Sequence, residues 1–445
     1  MINFIDKVKL PNGQIEKLDR LEKLYLIAKE LHKKSAVQFA IFGKPSAPVY
    51  QPIIDAKIRY WQSIDNQRPI VYGELQGEEA YRERMAKALT RQYQVPVETS
   101  SVTFTSGGRI AIQAASYLIR SLFKDKMVVT TNLYYPDHTG ISYSSDNAHS
   151  LLLVDVESDM SALTAEKLTE TLNGIDRDKI GAFIFCDPNN PMGNVVGKQQ
   201  WQKIIPILEQ YPNSVILLDE AYAEMVFDKL HVSLYSLASE QLRKRIILLR
   251  SGTKGFSASG ERMAILVTAN SEFNNKIVEY HAANLVHAPK SAQYAYTCAM
   301  EQFCEQGQLK LAAFYKPMVR QVETLLKETG FAVKQANYVE RQATFYVMAD
   351  FSGFYGATLP QALRDIYVSE NKIVVENNVD LAMYLLFKYR LALMPMYFFG
   401  AKLDSGLLRI TCSFESQSEV THLSNVLHDM QADIESASMN TVMHS

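Results

Sequence analysis

The segment IILLRSGTKGFSASGERMAILV, Ile246 to Val267, sets two wholly apolar runs on either side of a loop of small residues. Short apolar runs bounded by glycine and serine read as buried strands. Lys254 stands just past the first run, among Ser251, Gly252, Thr253, Gly255, Ser257 and Gly260. Small residues let the backbone approach a ligand closely, while a serine and an arginine are groups that hold a phosphate. Lys254 beside Ser251 and Arg262 therefore reads as a reactive amine next to an anion anchor. The competing reading of such a loop is a solvated connection, so the rest of the chain has to supply the other parts of a site.

Outward from this segment the strand pattern recurs. Further candidates are Val102 to Thr105, Met127 to Thr131, Leu151 to Val154, Ala182 to Cys186 and Val215 to Asp219, separated by helical stretches. That alternation predicts an α/β fold with a mostly parallel central sheet flanked by helices, whose ligands bind beyond the carboxyl ends of the strands. We divide the chain into residues 1–71, an N-terminal helix and arm; 72–315, the large domain; and 316–445, a smaller α+β domain. The first part places an amphipathic helix over Gln14 to Lys34 and, because prolines crowd Phe42 to Pro69, an extended arm suited to lie across a partner subunit. The last part places strands around Thr344 to Ala349 and Leu407 to Thr411, a helix near Ser416 to Met430 and a frayed end.

Composition narrows the function classes. The chain has 445 residues, 47% of them hydrophobic, with 46 basic and 48 acidic residues giving a formal charge of −2. Near-neutral balance without a basic stripe argues against nucleic acid and for small-molecule partners. The four cysteines, Cys186, Cys298, Cys304 and Cys412, form no metal-ligand spacing and no disulfide framework, which fits a reducing cytoplasm and no metal. MINFIDKVKLPNG lacks the apolar core of a signal peptide, and no run is long enough to span a bilayer.

Three strand ends carry chemistry. VTFTSGGRIAI, Val102 to Ile112, passes from a strand through Gly107, Gly108 and Arg109 into a helix whose first amides make an anion site. CDPNNPMGN, Cys186 to Asn194, fixes Asn190 between prolines, where its amide can meet an oxygen on a ligand. SVILLDEAYAEMVF, Ser214 to Phe227, ends an apolar strand on Asp219; a buried carboxylate there requires a cationic partner.

Taken together, the asparagine motif, Asp219 with Tyr222, and the spacing of Ser251, Lys254 and Arg262 resemble the pyridoxal-phosphate enzymes of the class I/II aminotransferase family, fold type I. The resemblance covers the chain from about Tyr72 to beyond Arg409. It implies that Lys254 is the Schiff-base lysine and later general base, and that Asp219 holds the ring nitrogen of pyridoxal 5′-phosphate (PLP). It implies further that Asn190 and Tyr222 hold the ring oxygen, and that Gly107, Gly108, Arg109, Ser251 and Arg262 surround the phosphate. LYYPDH, Leu133 to His138, is similar to the family's aromatic segment and makes Tyr135 the residue stacked on the ring. VYGELQG, Val71 to Gly77, is similar to the stretch whose tyrosine reaches the neighbouring subunit's phosphate, so Tyr72 implies a homodimer. GLLRITCSFE, Gly406 to Glu415, resembles the segment whose arginine, here Arg409, takes the substrate α-carboxylate with Asn190 beside it.

The expected activity is exchange of an amino group between an L-amino acid and a 2-oxo acid. A PLP-dependent lyase, cyclase or oxidase on the same fold is the enzymatic alternative. The family's usual residue at Met192 is threonine; this departure, with the GFSASGE loop and the MPMYFFG segment, leaves the substrate class open. A PLP-binding regulator is the alternative from another class, but residues 1–40 are too short and too little basic for a DNA-binding module.

Overall fold

The computed structural model describes residues 6–19, 21–140, 150–335, 338–369 and 372–443. Its centre is a seven-stranded sheet. The strands are β1 (Val102–Ser106), β2 (Met127–Thr131), β3 (Ser150–Val154), β4 (Ile180–Cys186), β5 (Val215–Asp219), β6 (Ile246–Ser251) and β7 (Met263–Val267). They lie in the order β1-β7-β6-β5-β4-β2-β3. The five strands from β6 to β3 run parallel. Strand β7 runs antiparallel to both of its neighbours.

Each predicted strand is present, because runs such as Ile246 to Leu249 are buried on both faces, as parallel strands covered by helices must be. The reversal of β7 has a functional consequence. It sets Met263 opposite Ser106 on β1, and Ala264 opposite Ser251 on β6. Arg262, at the start of β7, is thereby carried to the carboxyl ends of β1 and β6. The parallel strands do the same for the other loops: Asp219 is level with Cys186 on β4 and with Leu249 on β6.

The smaller unit is built on a three-stranded antiparallel sheet of β8 (Tyr346–Asp350), β10 (Leu407–Thr411) and β9 (Met394–Pro395), with β10 in the middle. Its core also takes in the N-terminal part of the chain: Val8, Leu18, Leu24, Ile27 and Ile41 pack in one cluster with Val319, Leu326, Val347, Leu385 and Ile410. A parallel pairing of Gln38–Phe39 with Leu391–Ala392 fixes the segment that leads to Ile41.

Three details differ from the sequence reading. The helix expected over Gln14 to Lys34 is shorter, α1 (Leu21–His32), because Ile15–Lys17 instead pairs with Lys7–Lys9. The proline-rich arm contains a regular helix, α2 (Gln51–Gln62). Pro52 lies in its first turn, where a fixed φ favours helix and no amide is needed. This helix buries Ile53, Ala56 and Tyr60 and packs on the helix Lys290–Gln302. The end expected to fray continues as the helix Gln417–Met443; the last two residues lie outside the described residues. Among the described residues, no helix is long and apolar enough to cross a membrane.

Candidate active site

The carboxyl ends of β1, β2, β4, β5 and β6 and one strand of the smaller unit meet at a single place. At the end of β1, Gly107 has φ +87° and caps the helix α3 (Gly108–Phe123). A helix start leaves its first amides without intrahelical acceptors, and here Ala111 N is bonded back to Gly107 O at 3.2 Å. A Cβ on Gly107 would run into the Arg262 guanidinium, so only glycine admits that side chain. A Cβ on Gly108 would stand 3.7 Å from Ser251 Oγ. Arg262 is oriented by donating to Ser259 O at 2.9 Å, and Ser251 Oγ donates to Thr253 Oγ1 at 2.7 Å. The helix start, Gly107, Gly108, Ser251 and Arg262 thus form one cradle rich in N–H donors, the chemistry an oxyanion needs.

Asp219, at the end of β5, is buried, and both of its carboxylate oxygens have hydrogen-bond partners. Its Oδ2 lies 2.9 Å from Nε2 of buried His138, and its Oδ1 accepts from Ala221 N at 3.0 Å. Tyr135 stands edge-on to His138, with ring centroids 5.6 Å apart.

Arg409, on the central strand of the smaller sheet, is 2% exposed. Its Nη1 donates to Asn190 Oδ1 at 2.7 Å and its Nη2 to Ile41 O at 3.0 Å. The guanidinium carbon lies over the rings of Tyr346 at 4.0 Å and Phe399 at 4.6 Å. Its Nε has no acceptor among the described residues. A fork held from both sides with a donor left over is suited to a carboxylate. Tyr222 shares a 2.7 Å hydroxyl hydrogen bond with Tyr346, and burial pushes the Tyr222 hydroxyl well above its ordinary pKa.

Lys254 Nζ donates to Gly43 O and lies 5.9 Å from the centre of the Tyr222 ring. Loss of solvent around the amine, then the charges of Arg409 and Arg262, lower its pKa from 10.5 to about 7. At pH 7 about half of such amines are neutral, against roughly one in three thousand for an ordinary lysine. Lys254 is thus in the state a nucleophile or proton acceptor requires.

Two residues singled out in the sequence lie apart from this cluster. The Arg109 side chain is engaged elsewhere: Nε donates to Asp137 Oδ2 at 2.8 Å and Nη2 lies 3.5 Å from Glu22. What Arg109 offers the cradle is its backbone amide in the first turn of α3. Tyr72 is 83% exposed, with an edge contact to the His287 ring, so within one chain it faces outward. Four residues were missed: His138, Tyr346, Gly43 and Ile41. Of these, His138 stood in the quoted LYYPDH, and its presence three residues after Tyr135 was the available signal. The other three touch the site through pairings 124 or more residues apart, for which no local signal exists.

A mostly parallel sheet with an amine, a carboxylate, an anion cradle and a buried arginine at its strand ends is the architecture of the fold-type-I enzymes. Aspartate aminotransferase of Rhizobium meliloti superposes with a TM-score of 0.76 at 16% identity, over 93% of this chain and 96% of that one. The enzyme of Thermus thermophilus with maleate gives 0.73 at 17% identity, over 92% and 96%. In sequence, a probable aspartate aminotransferase of Methanocaldococcus jannaschii is 24% identical over 357 residues, 78% of this chain and 87% of the relative. The family model "Aminotransferase class I and II" matches residues 45–427, and the chain belongs to that family. It is a PLP-dependent transaminase acting between amino acids and 2-oxo acids.

Proposed function

We propose that Lys254 and Arg409 are the two residues that define the substrate, an L-amino acid held by its α-carboxylate at Arg409 with its amino group toward Lys254. One observation carries this reading. Arg409 donates to Ile41 O and Lys254 to Gly43 O, carbonyls two residues apart on one segment. Consecutive Cα atoms are 3.8 Å apart, so the two carbonyls lie no more than about 7–8 Å from each other. An α-amino acid with its carboxylate at Arg409 would then lie along residues 41–43 with its amino group toward Lys254.

The cradle of Gly107, Gly108, the Arg109 amide, Ser251 and Arg262 would hold the phosphate of PLP. Asp219, fixed by His138, would hold its ring nitrogen, with Asn190 and Tyr222 at the ring oxygen and Tyr135 on the ring face. When bound, PLP supplies an aldehyde to receive the amino group and a ring that accepts an electron pair from Cα. The protein's own residues do the rest. Arg409 and Asn190 orient the carboxylate, Lys254 Nζ takes the proton from Cα, and Tyr346 and Phe399 exclude water from the Arg409 ion pair.

The exposed Ile54, Ile58 and Trp61 of α2, next to Ile70, Val71 and Tyr72, support a homodimer in which Tyr72 enters the partner's site. The unpaired cysteines support a cytoplasmic location. The helix Glu305–Glu328 runs through the expected boundary at 315, and its Ala312, Tyr315 and Val319 pack together in the apolar cluster of the smaller unit.

The test is a half-reaction. PLP-loaded protein is mixed with single amino acids in the absence of any 2-oxo acid, and products are identified by mass spectrometry. We expect one equivalent of 2-oxo acid per site for the substrate, turnover on adding an acceptor 2-oxo acid, and neither with Lys254→Ala. Release of ammonia in place of stoichiometric oxo acid would overturn the reading.

A further inference from the structure

Beneath the site lies a second layer of charge. Side chains alternate between the two faces along a strand, so the neighbours of site residues point away from the site. Glu220 follows Asp219, Arg250 precedes Ser251, and Glu224 stands two residues past Tyr222. These three charged side chains are at most 1% exposed.

They are bonded in a chain. Arg250 Nη2 donates to Glu224 Oε1, and Arg250 Nη1 to Tyr93 Oη at 2.5 Å. Tyr93 Oη in turn donates to Glu220 Oε2 at 2.6 Å. Glu224 also lies directly against the residue after the reactive lysine: a Cβ on Gly255 would be 2.5 Å from Glu224 Cβ and 2.7 Å from its Oε2. The turn that carries Tyr222 and the loop that carries Lys254 are therefore clamped together by one ion pair and one glycine contact.

A buried ion pair costs desolvation that its Coulomb attraction repays only in part, and apolar residues of similar volume are often no less stable. What apolar residues lack is direction. A guanidinium that donates through one nitrogen to a carboxylate and through another to a phenol oxygen fixes the separation and angle of the elements that bear them.

We propose that Glu224 and Arg250 are positioning residues for transamination, setting the distance between Tyr222 and Lys254 from below the site. Neither touches substrate; their effect passes through Gly255 and Ser251. Among the described residues, three atoms in this layer, Glu224 Oε2, Arg250 Nε and Tyr296 Oη, have no hydrogen-bond partner. The inference rests on the roles given above to Lys254 and Tyr222.

The test compares wild type, Glu224→Gln, and the double variant Glu224→Met with Arg250→Met, which removes both charges together. Four quantities are read: the thermal midpoint, the pH dependence of the rate at which cofactor-free protein combines with PLP, kcat, and KM. We expect the double variant to keep its thermal midpoint within about 5 °C. Its pH midpoint for combining with PLP should nevertheless move by about one unit, and kcat should fall about 10- to 100-fold with KM little changed, as a misplaced reacting group requires. Glu224→Gln, which keeps the shape, should show the same changes in smaller measure and carries the test if the double variant does not fold. Normal kcat and normal pH midpoint in a folded variant overturn the positioning role. A loss of activity that follows the thermal midpoint alone does so as well. Wild-type protein that fails to combine with PLP through Lys254 overturns the site reading itself, and this inference with it.

Discussion

Arg409 Nη1 donates to Asn190 Oδ1 at 2.7 Å, joining residues 219 positions apart and tying the central strand of the smaller sheet to the loop after β4. The geometry is a fork: a second nitrogen is held by Ile41 O and two aromatic faces enclose the plane. Lysine can supply the charge but not the fork. Arg409→Lys is expected to raise KM for the amino acid about 30- to 200-fold, equivalent to roughly 2–3 kcal/mol, with kcat reduced much less. Half-reaction rates measured against amino-acid concentration check this. An unchanged KM would remove the carboxylate from Arg409.

The lowered pKa of Lys254 has a sign that can be tested without cofactor. Between about 7 and 10.5 the unfolded chain binds a proton at this lysine that the folded chain does not, so this residue makes the folded protein more stable as pH rises through that window. The same contribution is lost as pH falls toward 7. In cofactor-free protein, Lys254→Met should therefore flatten the rise in stability with pH and raise the urea midpoint at pH 7. Labelling of Lys254 by a limiting acylating reagent should show a midpoint near pH 7. A midpoint near 10.5 would mean a solvated amine.

Asp219 and His138 form one buried unit. Asp219→Asn keeps the shape but loses the charge, and cofactor affinity should fall about 10- to 100-fold, the equivalent of one charged hydrogen bond. His138→Asn should weaken affinity by a smaller factor, about 3- to 10-fold, since Asp219 keeps its bond from Ala221 N. Equilibrium dialysis of PLP measures both. Equal losses in the two variants would place the ring nitrogen on His138 instead.

Met192 stands where the family usually has threonine, and the departure is explained by packing. Its side chain is 1% exposed, in the cluster that holds the core of the smaller unit, and its carbonyl accepts from Arg341. Met192→Thr should cost about 1–3 kcal/mol through a cavity and a buried hydroxyl. Activity per folded molecule should be unchanged. A changed substrate preference would show that Met192 faces the substrate.

The outward face of α2 predicts the assembly. Trp61 is 56% exposed and Ile58 51%, close in sequence to the 83% exposed Tyr72. Ile58→Asp with Trp61→Glu should convert a dimer to monomers in sedimentation, and activity should fall at least about tenfold if Tyr72 completes the partner's site. A wild-type protein that is monomeric and fully active would exclude a shared site.

The strands at the middle of the large sheet were legible because runs such as Ile180–Cys186, Val215–Asp219 and Ile246–Leu249 are buried on both faces and so are apolar almost throughout, while the edge strand Ser150–Val154, partly exposed, was legible from its leucine run alone. The chemical residues of the strand ends were legible for the complementary reason. Lys254, Asp219 and Asn190 are polar groups at or just past the last residue of an apolar strand. Alpha2 was misread because four prolines between Phe42 and Pro69 suggested extended chain, whereas Pro52 sits in the one part of a helix that tolerates it.

By itself, then, the sequence determined which segments are strands, which loops end in reactive groups, and that a lysine, a phosphate cradle and an aspartate belong to one fold. Only the tertiary structure decided what those groups meet. The reversal of β7 brings Arg262 to Gly107 and Ser251, residue 138 comes to Asp219, and residues 41 and 43 pass between Arg409 and Lys254. Local patterns record whether a residue is buried and in what backbone state, which neighbours a few positions away can reveal. They carry no information about which of several hundred residues will stand opposite, since that pairing is set by the order and direction in which the strands assemble.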